Sequence, residues 1–217
     1  MKLHIDIDVK VSRFIKFFII SDLFFLGGWG FVDPIFSVFV VENIKGATLV
    51  TAGITAAIYW IVKSIIQIPV ANFLDKTDGE RDDFYVLIAS LFLTAISAFL
   101  LVLVNEVWQL LAVQVVHAVA FGFYLPAWTG MFSRHLDKGH EALDWSLNST
   151  TVGIASGITG FASGAFAQWF GFNMVFVLAG VFSLIAALVI MFTPDVVFPK
   201  RKNIGQEVFI KNHSVSK

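Results

Sequence analysis

Apolar and polar positions in this chain separate into long blocks rather than alternating along it. Apolar runs at about 14–41, 48–74, 84–104, 107–132, 145–170 and 172–192 are each long enough, at about 1.5 Å per residue, to cross a hydrocarbon core of about 30 Å. The pattern predicts an all-α polytopic protein with six transmembrane helices over residues 1–193 and a polar tail over 194–217. The first run is longer than a bilayer needs, so it must tilt or kink, and Gly27, Gly28, Gly30 and Pro34 supply the places. The sharpest break lies between the second and third runs, PVANFLDKTDGERDDF, where Asp75, Lys76, Asp78, Glu80, Arg81, Asp82 and Asp83 surround Gly79. A segment so charged must lie in water.

Composition agrees: 57% of residues are hydrophobic, 14% are charged and 24 of 217 are Phe, which is outside the range of soluble domains. With no Cys, disulfides and thiolate metal sites are excluded. Interruptions at 42–47, 105–106 and 171 are short, whereas those at 75–83 and 133–144 are long and charged, and the two kinds alternate sides. With the N-terminus inside, every Lys and Arg except Lys45 and Lys63 falls on the inner face or in the tail. That bias predicts an inner-membrane protein with both termini cytoplasmic. In the tail, Lys200, Arg201 and Lys202 either contact anionic lipid or only enforce topology.

Several polar residues fall inside the runs. Asp22 lies about 12 Å into the first span and Lys63 about 17 Å from the inner end of the second, so the two are expected at similar depth as an ion pair. Such a pair either serves a proton or cation site or is a static bridge. Asp33 precedes Pro34, which leaves a carbonyl of the preceding turn without a partner, making a polar spot that is either a substrate contact or simply solvated. Gln114 and His117 share a helix face, with Tyr124 and Pro126 further along, and a histidine there either carries a proton or is a neutral hydrogen-bonded group. Gly153, Gly157, Gly160 and Gly164 form small-residue steps that permit close helix packing, either between moving halves or within one. The long loops carry charges that can meet: Lys76 and Arg81 with Glu141 and Asp144, or Arg134 with Asp82 and Asp83. Trp108, Trp128, Trp145 and Trp169 fit an interfacial aromatic belt.

The chain resembles one half of a major facilitator superfamily transporter. The family's loop between helices two and three follows Gly-x-x-x-Asp-Arg/Lys-x-Gly-Arg/Lys, and here Ala71, Asp75, Lys76, Gly79 and Arg81 stand in that order, with Ala for the first Gly and one extra residue before Gly79. The Gly-rich first helix and the fourth helix QVVHAVAFGFYLPAW add to the likeness. Gln114 stands where the family often has arginine, and the fifth helix lacks the antiporter Gly-Pro. The resemblance implies a fold built as a 3+3 inverted repeat and a cavity lined by the first and fourth helices, which would aim Gln114, His117 and Tyr124 at a solute. It also implies conformational control by Asp75, Lys76, Gly79 and Arg81, with Glu141 and Asp144 opposite.

The reading from sequence is therefore a secondary transporter of a small solute by alternating access, without a cofactor or nucleic-acid partner, with proton coupling through Asp22 and His117 as second candidate. Two copies related by an axis along the membrane normal would rebuild twelve helices, so a homodimer is expected, with a different second half or a truncated remnant as the alternatives. A nontransporting scaffold is the rival reading. An intramembrane protease built on Ser156 or Ser163 needs a histidine on a neighbouring span, and the fifth and sixth runs contain none. No phosphate-binding Gly loop followed by Lys-Ser/Thr suggests an ATPase.

Overall fold

The computed structural model describes residues 11–77 and 80–193, and all regular structure among them is helical apart from one isolated bridge between Lys45 and Glu106. Asp78, Gly79 and the whole 194–217 tail, with its three consecutive bases, lie outside the described residues. Seven helices follow one another: α1 (Arg13–Trp29), α2 (Phe36–Asn43), α3 (Leu49–Leu74), α4 (Arg81–Leu101), α5 (Val107–Arg134), α6 (Glu141–Phe170) and α7 (Phe172–Met191). By length and composition α3, α4, α5 and α7 can cross a membrane; α1 has 17 residues, and α6, with 30, is the more polar.

The predicted first helix is two helices. After Trp29 the chain passes through turns around Asp33 and Pro34 before α2 starts at Phe36, because Pro34 cannot donate a backbone hydrogen bond and its ring excludes helical backbone before it. The two long charged loops are shorter than the charge pattern suggested, whereas the connection predicted at 105–106 runs from 102 to 106. The helices α4 and α6 begin at Arg81 and Glu141, winding charged loop residues into their first turns, where Asp82, Asp83, Glu141 and Asp144 complement the positive end of the helix dipole.

Local chemistry sets the remaining ends. Ser12 caps α1 by accepting from the Ile15 N–H, and Thr48 and Thr51 cap α3 reciprocally. The α6–α7 reversal is made by Gly171 alone, at φ 81°, a conformation that side chains rarely tolerate. In the bundle, α3 packs on α5, α5 on α4, α4 on α7, and α7 on α1, while α6 lies against α1 and α7 and α2 touches α3. A glycine is required where α1 ends beside α6: a Cβ at Gly30 would lie 2.9 Å from the Ser156 Cα. The core mixes aliphatic and aromatic side chains, with Phe18, Phe25, Phe132 and Phe176 fully buried.

The two ends of the bundle differ. At one, the Lys45 N–H bonds to the Asn105 carbonyl at 3.0 Å, tying the loop before α3 to the loop before α5. At the other, Arg134 donates to Glu80, and the Ser12 N–H before α1 donates to Asp137. Burial is also uneven: only 6% of the apolar stretch of α3 is covered, against 50% in α4 and in α5.

Candidate functional site

Three polar centres occupy this scaffold. The deepest is built on Asp22 from α1, which is 3% exposed. One carboxylate oxygen accepts from the Tyr124 hydroxyl of α5, and the other accepts from the Asn148 side-chain amide of α6 at 3.0 Å. Tyr124 is itself buried against Phe25 at a ring separation of 4.4 Å, so its hydroxyl is aimed by packing. The side-chain oxygen of Asn148 is buried without a partner among the described residues. Next in sequence, Ser21 donates to the Ala186 carbonyl of α7 at 3.1 Å. One short stretch of α1 is thereby hydrogen-bonded to α5, α6 and α7.

The expected Asp22–Lys63 ion pair does not form. Depth along two helices can be estimated from rise per residue, but the direction in which each residue faces cannot, and Asp22 bonds to Tyr124 and Asn148 rather than to Lys63. The Lys63 ammonium instead lies over the rings of Trp60, at 4.4 Å, and Tyr59, at 5.4 Å. These rings precede it by three and four residues, the spacing at which helical side chains meet. Tyr59 stacks on the His117 ring at 5.2 Å, and His117 lies 4.0 Å from Trp29 and 4.8 Å from Phe121. His117 Nδ1 is paired with the Ser97 hydroxyl of α4 at 3.1 Å. Gln114 is buried one turn earlier on α5, and Asp33 is exposed in the turn between α1 and α2. This second centre thus joins α1, α3, α4 and α5 through stacked rings.

The third centre closes the end where the long loops lie. Arg134, last residue of α5, donates to Asp83 at 2.6 Å and to Glu80 at 3.1 Å, and His135 lies 3.5 Å from Glu80 while stacking on Phe14 at 3.7 Å. Asp82 accepts from Thr77 instead. Of the two sets of loop contacts expected, the Arg134–Asp83 pair forms and the pairing of Lys76 and Arg81 with Glu141 and Asp144 does not. Asp144 accepts from the Asp137 N–H at 2.8 Å, and Asp137 accepts from the Ser12 N–H at 2.8 Å. Glu141 accepts from the Gly139 N–H at 3.0 Å, which holds its carboxyl below the usual glutamate range. Asp75, Lys76 and Arg81 are exposed, with no ion pair among the described residues.

The glycines of α6 divide. Gly160 approaches Gly30 and Pro34, whereas Cβ atoms at Gly153, Gly157 and Gly164 would meet nothing within 4 Å. Ser156 donates to the Leu26 carbonyl and Ser163 to the Gly160 carbonyl, while the histidine serves Ser97. Trp108, Trp145 and Trp169 are exposed, as at a membrane interface, but Trp128 is buried, stacked on Phe132 at 4.6 Å. Sequence reasoning passed over Asn148, Ser97, Trp29, Tyr59 and Trp60. Tyr59 and Trp60 were within reach, since they precede Lys63 by one helical turn; Asn148 carries no comparable signal.

An all-helical bundle, apolar on its outside and holding ionisable groups at its centre, defines a polytopic membrane protein. The sequence profile described as Major Facilitator Superfamily matches residues 18–215, and the chain belongs to that family. Among solved structures, the POT family transporter PepTSo, crystallised in meso, aligns at a TM-score of 0.74 and 12% identity, which establishes the shared fold. The alignment covers 89% of this chain and 40% of that one, so this chain spans well under half of the transporter it matches. No curated protein matches the chain significantly.

Proposed function

We propose that this chain is a secondary active transporter of a small solute, working by alternating access as a dimer of six-helix units in the inner membrane with both termini cytoplasmic. The observation that carries the reading is Asp22, enclosed where α1, α5 and α6 meet and held by neutral donors alone. An ionisable group costs at least about 2.5 kcal/mol at the centre of a bilayer, and such groups mark ion and solute pathways. Because its shell is contributed by three helices, any displacement of α6 or α5 against α1 opens it. Asp22 is accordingly assigned the coupling proton. His117, packed among rings and bonded to Ser97, serves as a wall of the solute pathway with Gln114 and Tyr124.

The six-span and 3+3 readings draw support from how the helices pack. With α1 and α2 counted as one span, first on fifth corresponds to fourth on second, first on sixth to fourth on third, and third on sixth maps onto itself. These five are the most extensive packings in the bundle; α2 also touches α3, as α5 touches α6 through Trp128 and Phe132 on Trp145. The dimer is supported by the uncovered faces of α3 and α6. Ile61, Ile65 and Ile68 on α3, and Ile158 and Phe161 on α6, are exposed, and the open glycines of α6 suit close approach of another helix. Asp75, Lys76 and Arg81 remain available to contact a second half as its gate, with Glu141 at the same end.

The test is reconstitution of the full chain into proteoliposomes with a trapped pH indicator and a panel of organic acids, amphipathic amines and sugars. Wild type is expected to couple uptake of at least one solute to proton entry, and Asp22→Asn to lose the proton signal while remaining folded. A chain that stays monomeric in lipid nanodiscs overturns the dimer. A dimer that moves no solute is a scaffold.

A further inference from the structure

The Lys63 centre has donors and flat surfaces but no acceptor to match them. Among the described residues all ion pairs belong to Arg134 and His135, so no carboxylate neutralises Lys63, and its ammonium is held only over Trp60 and Tyr59. One turn further along α3, the side-chain amide nitrogen of Gln67 is buried without a partner among the described residues, four residues from Lys63 and on the same side of the helix. A buried donor normally has an acceptor. Trp29 adds an indole N–H that is likewise buried and unpartnered, behind the His117 ring. The aromatic surface is fixed from behind: Tyr59 rests on His117, which Ser97 holds in place, while Trp60 is 59% exposed and presents its ring outward.

Resting on the transporter reading above only for its being a substrate, we propose that Lys63, Gln67, Tyr59 and Trp60 form a binding site for a monoanionic aromatic carboxylate. The carboxylate takes the Lys63 ammonium and the Gln67 amide N–H, and the flat body of the ligand lies on the Trp60 and Tyr59 rings in the place the ammonium now shares. One cation matches one negative charge, so the arrangement disfavours phosphate monoesters, which carry about two at neutral pH. An organic cation would meet Lys63 with like charge, and a neutral solute would leave the ammonium uncompensated.

Direct binding of radiolabelled naphthoate to the full chain in detergent micelles tests this. Wild type is expected to bind saturably, Lys63→Gln to weaken binding about tenfold or more, and Lys63→Arg to stay within about threefold because the charge is kept. Trp60→Leu is expected to weaken binding while leaving melting behaviour unchanged, and naphthylmethylammonium not to compete. The site is overturned if monodisperse wild type does not bind naphthoate, if Lys63→Gln binds it as tightly, or if the ammonium analogue competes equally. The two readings fail separately. Naphthoate that binds through Lys63 while neither it nor any solute of the panel is taken up into proteoliposomes removes the transporter reading and leaves the site, whereas uptake of other solutes by protein that ignores naphthoate removes the site alone.

Discussion

Asp22 and Lys63 are both charges placed well inside apolar helices, yet the protein treats them oppositely. The acid is 3% exposed and satisfied by two hydrogen bonds from two other helices. The base is on a helix whose apolar stretch is only 6% covered, and it is held by rings of its own helix. The difference shows that burying a charge in this fold depends on what surrounds it: Asp22 is part of what holds α1, α5 and α6 together, and Lys63 holds nothing to α3 but itself. A group of the first kind reports on helix arrangement. The second kind is free to meet a ligand.

The largest effect that separates them is on stability. Asp22→Leu leaves the Tyr124 hydroxyl and Asn148 amide without their acceptor, and at about 0.6 to 1.7 kcal/mol per interhelical bond in a membrane the expected loss is about 1 to 3 kcal/mol. Lys63→Leu removes no interhelical bond and is expected to leave stability unchanged or raise it. Thermal unfolding of the two variants in the same detergent checks the contrast, and equal losses would erase it. A smaller effect sharpens the picture of the acid's shell. Asn148→Ala removes one of the two bonds, with an expected cost of about 0.6 to 1.7 kcal/mol, and unfolding that matches Asp22→Leu would make Tyr124 irrelevant. The smallest concerns the ring stack behind Lys63. Ser97→Ala deletes one bond to His117 and is expected to cost about 0.6 kcal/mol, measurable as a small drop in melting temperature without loss of the folded form.

Much of the fold was legible in the sequence, since helix covers most of each apolar run, and the first, expected to tilt or kink at its glycines and Pro34, divides there into α1 and α2. The positions of charged helix starts were not, because acids that look like loop also suit a first turn, as Asp82, Asp83, Glu141 and Asp144 do. The site was half legible. Asp22, Lys63, His117 and Tyr124 stand out as polar groups in apolar runs, but their partners depend on rotation about each helix axis. Helices that are apolar nearly all round give little indication of that rotation, which is why Asp22 was matched by depth to Lys63 when its partners are Tyr124 and Asn148. Arg134 with Asp83 was foreseeable, because at a wet helix end opposite charges are few and close. Glu80, its second partner, lay in the same charged run.

The one-residue reversal at Gly171 bears on how the protein is made. Of the helices joined there, α7 is long and apolar enough to cross a bilayer, and α6 is the more polar. Linked by a single residue at φ 81°, the two are expected to leave the ribosome's insertion machinery as one hairpin, with α7 drawing its more polar neighbour in. Lengthening that link would separate the two events, and the burden would fall on a helix rich in glycine, serine and threonine to find the membrane alone.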